Sequence, residues 1–146
     1  MAINLNGDNS GYEAGLITTK LVNKIAISAG TSFLYATDNT GGNKFMYADK
    51  YRNALAYSLS FGKLMLPKEY TSYKQTNMNL MLELLGQTNF GNGKTYLDLA
   101  PTIQFIILSK MRVDAGYRFA MVKDLERNAT SVFLLRLEYN IFNAYK

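Results

Sequence analysis

TYLDLAPTIQFIILSKMRVDAGYRFAMVKDLERNATSVFLLRLEYNIF, residues 95–142, decides the fold. It reads as three strands in succession, 95–109, 111–123 and 130–142, the first two joined by a bare Ser109-Lys110. In the last strand Phe133, Leu135, Leu137, Tyr139 and Ile141 alternate with Leu134, Arg136, Glu138 and Asn140. In the middle strand Met111, Val113, Ala115, Tyr117, Phe119 and Met121 alternate with Arg112, Asp114, Gly116, Arg118 and Ala120. A period of two marks a strand with one apolar and one polar face. Strands of soluble proteins run to about five or six residues, whereas a tilted strand crossing a bilayer needs about nine to eleven. These strands have the longer length.

Working outward, strands are expected at 12–21, 25–37, 53–66 and 76–87, with a partial one at 2–6. In 53–66, Leu55, Tyr57, Leu59, Phe61 and Met65 share one face. Ala54, Ala56, Ser58, Ser60 and Gly62 share the other, and small residues suit the inside of a narrow barrel. Lys63 interrupts the apolar face near its end, where its amine can reach a headgroup or water. Met81 and Leu85 spoil the alternation in 76–87, so MLELL also fits a short helix, with a strand preferred. Pro101 inside a strand suggests a bulge or local break. Tight turns near Asn23 and at Ser109-Lys110 fall at one end of the strands. Loops 38–52, 89–94 and 124–129 fall at the other, the habit of outer-membrane barrels, and the long connector 67–75 departs from it.

The expected fold is therefore all-β, one domain over residues 1–146. It is an antiparallel up-and-down transmembrane β-barrel of about eight strands, or the C-terminal strands of a larger barrel. No apolar run approaches the roughly twenty residues of a spanning helix, but a closed barrel satisfies its backbone from strand to strand. The charge of +5 comes from 16 basic and 11 acidic residues scattered along the chain, which argues against a nucleic-acid partner. There is no Cys and no His, which removes disulfides, zinc sites built on those ligands and Ser-His or Cys-His catalysis. No catalytic set is expected, no metal site and no cofactor. The start, Met1 to Gly7, lacks the basic and apolar regions of a signal peptide, which favours a fragment of a longer chain.

If the apolar face meets lipid, the other face carries Glu83, Asp98, Gln104, Arg112, Asp114, Arg118, Arg136, Glu138 and Asn140. Acids and bases are nearly balanced there, and buried charges must be paired. A ladder of ion pairs between neighbouring strands is the structural expectation, and a polar pathway or ligand site the functional one. Phe45, Tyr47 and Tyr51 in loop 38–52 form a candidate contact surface for a partner. Asn128-Ala129-Thr130 matches a glycosylation acceptor, a pattern common enough by chance to carry nothing here.

From Ser58 to Phe142, through LPKEYTSYKQTNMNL, YLDLAPTIQFI, VDAGYRF and the terminal LLRLEYNIFNAY, the chain resembles the C-terminal part of Bacteroidetes-type outer-membrane β-barrel proteins, porin-like or transporter-like. The resemblance implies a bacterial outer-membrane location and a barrel often built from more strands. It carries no functional residues. Many such barrels finish on an aromatic residue, and this chain ends Tyr145-Lys146.

The expected role is structural or passive transport of an unspecified solute, with the lipid bilayer as partner. Two rivals stand beside it. One is a soluble lipocalin-like or fatty-acid-binding-like carrier, with Phe133, Leu135, Leu137 and Tyr139 inside. The other is a subunit of a larger outer-membrane complex that uses loop 38–52.

Overall fold

The computed structural model describes residues 10–38, 51–69, 71–72, 74–125, 127 and 129–141. They form one antiparallel sheet of seven strands in sequence order. The strands are β1 (Ser10–Val22), β2 (Ile25–Thr37), β3 (Asn53–Leu66), β4 (Asn77–Asn89), β5 (Thr95–Ile107), β6 (Met111–Lys123) and β7 (Ser131–Tyr139). Each pairs only with its neighbours in sequence, so the sheet is an up-and-down meander. The expected barrel is not closed: among the described residues β1 and β7 do not pair with each other. The partial strand expected at 2–6 lies outside the described residues, as do Phe45, Tyr47 and Asn128.

Register follows the alternation. Phe61 pairs with Leu82, and Leu82 with Pro101, all on one face. Ser58 pairs with Leu85, and Leu85 with Asp98, on the other. The second face is the crowded one. Leu34, Ala36, Ala54, Gln87, Asn89, Asp98, Ala100, Gln104 and Asp114 are all buried and all lie on it. The first face stays open to the surroundings, with Tyr12, Leu16, Phe33, Phe61, Leu82, Tyr117, Phe133, Leu135 and Tyr139 exposed. The sheet therefore curls around mostly polar and small side chains and presents most of its bulky apolar ones outward. Ile17 and Leu21 of β1 and Val132 and Leu134 of β7 are left on the inward side of the edge strands. Its surface, 10324 Å², exceeds the roughly 7,500 Å² of a compact monomer of this mass. A single layer has no second layer to cover its apolar face.

Residues 77–89 are a strand, not a helix. Met81 and Leu85 point inward, where their partners are small: Met81 faces Gly62 and Thr102, and Leu85 faces Ser58. Pro101 causes no bulge. The β4–β5 register runs through it, while the pairing of β5 with β6 skips Ala100 and Pro101. Proline has no N–H to give the ladder, so bridges are lost without a shift of register. The bulge lies earlier in β5, between Leu97 and Asp98.

The two ends differ as the loop lengths suggest. At one end Asn23 and Lys24 both take positive φ, 49° and 67°, the geometry of a type I′ hairpin. Leu108 and Ser109 do the same at 53° and 54°, so that turn is centred one residue earlier than the sequence suggests. The connector between β3 and β4 also lies at this turn end. The other, loop end is where the chain passes from β2 to β3, from β4 to β5 and from β6 to β7.

Candidate functional site

The inward face gathers the polar groups into two clusters. At the loop end Asp98 is fully buried. Arg118 Nε, on the next strand, donates to its Oδ2 at 2.5 Å. Arg127 comes from the segment between β6 and β7 and grips both carboxylate oxygens, Nη2 donating to Oδ1 at 2.6 Å and Nη1 to Oδ2. Both guanidiniums lie over the ring of Tyr96, Arg127 at 4.4 Å from its centroid and Arg118 at 5.7 Å. Hydrogen bonding to Asp98 raises the pKa of Arg127 further above its ordinary value, so the guanidinium stays charged. The segment is tied at several points. Asp124 N donates to Thr95 O, Leu125 is buried, and Ala120 N donates to Thr130 O. Leu125 and Arg127 thus turn in against the sheet, while Asp124, Ala129 and Thr130 stay exposed.

The second cluster lies toward the turn end. Register sets Asn79, Gln104, Asp114 and Arg136 in one row across β4 to β7, with Arg112 opposite Glu138 in the next. Asn79 Nδ2 donates to Gln104 Oε1 at 2.9 Å. Arg112 Nε bonds Asp114 at 2.9 and 3.1 Å, and Arg136 Nη2 bonds Glu138 Oε2 at 2.7 Å. These ion pairs join residues two apart on one strand, not neighbouring strands as a ladder would require. Side chains two apart share a face, and here the guanidinium curls along its own strand.

Of the expected inner residues, Asp98 and Arg118 meet in the first cluster. Gln104, Arg112, Asp114, Arg136 and Glu138 meet in the second. Glu83 belongs to neither: it sits between Ser60 and Ala100 and makes no hydrogen bond among the described residues. Asn140 lies beyond β7, its N–H bonded to Lys110 O at 2.8 Å. In the candidate contact loop, Tyr51 O accepts from Asn89 Nδ2 at 3.2 Å and Arg52 bonds Asp38, which ties the end of that loop to the sheet. The sequence reading missed Arg127. The signal was Asp98 itself, a lone charge on an otherwise uncharged strand that needs a counter-charge.

Beside the first cluster, across β1 to β4, lies a concavity of about 560 Å³. Glu13 from β1 and Arg118 from β6 both line it, with Ser32, Ser58, Tyr96 and the backbone at Gly15 and Gly30. Strands five places apart share it because the sheet curls. Glu13 accepts from Ser32 Oγ at 2.6 Å. Outside, a shallow apolar groove of about 690 Å³ runs over Pro101 and Ala115 between Phe61, Leu80, Tyr117 and Phe133. Lys63 stands at its rim. Among outward strand positions, the charged residues are Lys63 and Lys20, both close to the turn end.

The inner arrangement suits holding charge in a fixed geometry. It offers ion pairs, amide contacts and the Ser32 hydroxyl held on the Glu13 carboxylate. Among the described residues no group of acidic side chains could hold a metal ion. No described helix is long and apolar enough to cross a membrane, which bears on helices alone. No protein-family model, curated protein or solved structure matches the chain.

Proposed function

We propose that this sheet is the wall of an outer-membrane β-barrel, with a structural or passive-transport role, in which hydrocarbon covers the bulky face and the charged face lines the interior. One observation carries the reading. Along β7, Phe133, Leu135, Leu137 and Tyr139 share the outward face and are 67%, 67%, 70% and 61% exposed, while Arg136 and Glu138 lie on the inward side with Val132 and Leu134. An apolar surface of this extent is not left in water. The soluble-carrier alternative needs those same four side chains inside, with the charges outside. The strand lengths fit too: thirteen residues at about 3.3 Å, tilted as barrel strands are, span roughly 30 Å. The aromatic pair Tyr12–Tyr35 lies at the loop end and Tyr139 at the turn end, the positions of interfacial girdles.

The outer-membrane location rests on this orientation and on the resemblance of residues 58–142. A role within a larger surface complex is the second reading, supported by the edges of β1 and β7, which are unpaired among the described residues. The test is solubility and migration. The full chain should stay monodisperse only with detergent, and on cold gels should run differently before and after boiling. Monodisperse protein in plain buffer would end the proposal. Flux of small solutes into vesicles carrying the protein separates passive transport from a purely structural role.

A further inference from the structure

Two side chains of opposite charge line the inner concavity with bonding capacity to spare. Glu13, at its β1 wall, accepts from Ser32 Oγ through Oε1, and its Oε2 has no partner among the described residues. Arg118, at its β6 wall, spends Nε and Nη2 on Asp98 Oδ2, which leaves Nη1 without an acceptor among the described residues. No ion pair joins Glu13 to Arg118, because the concavity lies between them. Its floor is built from small residues. Gly15 and Gly30 are inward positions with no side chain, and Ala56 and Ser58 pair beside them. A Cβ on Gly30 would stand 2.8 Å from Ser58 Oγ, so even a methyl group would crowd the space. Arg118 is also held back from swinging across to Glu13. Its partner Asp98 is fully buried and gripped from the other side by Arg127, and the ring of Tyr96 lies against both guanidiniums.

We propose that this concavity binds a small zwitterion, an amino acid or short peptide, with its ammonium on Glu13 and its carboxylate on Arg118. The volume, about 560 Å³, lies in the range of small-molecule sites. An anion alone would take Arg118 and leave the Glu13 carboxylate facing it. A cation alone would do the reverse. A ligand with both charges gives each wall a charge-assisted hydrogen bond, the strong kind. The inference deepens the passive-transport reading by naming a class of solute, and it rests on that reading in taking this face as the lining of an interior.

The test is a calorimetric titration of the full chain in detergent with three probes. They are triglycine, N-acetyl-triglycine, which lacks the ammonium, and triglycinamide, which lacks the carboxylate. Triglycine is expected to bind about tenfold more tightly than either singly charged probe, the effect of one charge-assisted hydrogen bond. Glu13→Gln, whose amide oxygen still accepts from Ser32, should lose the advantage of triglycine over N-acetyl-triglycine and bind the latter as the unaltered chain does. Arg118→Gln should lose the advantage of triglycine over triglycinamide, and its retained binding of triglycinamide reports an intact fold. Equal affinity for the three probes, no binding of any, or an unchanged preference in Glu13→Gln would each overturn the proposal. The expected preferences in protein that is monodisperse in plain buffer would remove the membrane reading and keep the site. Detergent-dependent protein without them would keep the membrane reading and remove the site.

Discussion

The ring of Tyr57 lies over Gly86, its partner on the neighbouring strand: a Cβ built on Gly86 would stand 2.2 Å from Tyr57 Cε2. An outward aromatic thus fills the space that a missing side chain leaves, and the β3–β4 ladder runs unbroken beneath it. Gly86→Ala should cost about 1–3 kcal/mol in urea unfolding from detergent or vesicles, since the ring must move. Combined with Tyr57→Ala the two costs should fall short of their sum, because the clash disappears with the ring. Additive costs would mean that the ring is free to swing away.

Asp98 holds two guanidiniums, and losing it should matter more than losing either of them. Asp98→Ala leaves Arg118 and Arg127 facing each other without an acid and should destabilise the sheet by about 3–5 kcal/mol. Arg127→Ala leaves Asp98 one partner and should cost about 1–3 kcal/mol. Arg118→Ala should cost less than Arg127→Ala, because Arg118 is the more exposed and solvent screens it. Equilibrium unfolding of the three variants checks the order.

Leu108 and Ser109 both occupy the left-handed region, which bulky side chains rarely adopt. Replacing the pair by Asn-Gly, the sequence preferred for such turns, should raise stability by about 1 kcal/mol without altering the strands. An unchanged or lowered unfolding midpoint would contradict the turn geometry.

The outward face should reject charge in its middle and tolerate it at its end. Leu99→Arg, outward on a central strand, should weaken folding into vesicles by about 2–4 kcal/mol. Lys63→Leu, near the turn end, should change little. Equal effects from both would mean that depth does not matter and that lipid does not cover this face.

Much of this was legible in the alternation. Residues 25–37, 53–66 and 111–123 are strands over those bounds, and the alternation of Leu135 with Arg136 separates the two faces. Periodicity could do this because each strand has one crowded and one open side. It faltered at Met81 and Leu85, where glycine, serine and threonine across the ladder leave room for an inward apolar side chain. The site was legible only in outline. Alternation assigns a residue to a face but says nothing of which inward groups touch. The ion pairs along single strands, the isolation of Glu83 and the return of Arg127 across 29 residues depend on side-chain reach and on the path of a loop. Closure was beyond the pattern as well, because strand counting needs the edges and not only the faces.

The orientation of β7 is the most direct test of the account. Single spin labels at each position from 131 to 139, with the protein in lipid vesicles, report collision with oxygen, which concentrates in hydrocarbon, and with a water-soluble nickel chelate. The account predicts high oxygen access at positions 133, 135 and 137 and low access at 132, 134 and 136, a period of two in phase with the exposed leucines. The opposite phase, or nickel access as high at 135 as at the exposed Lys94, would contradict it.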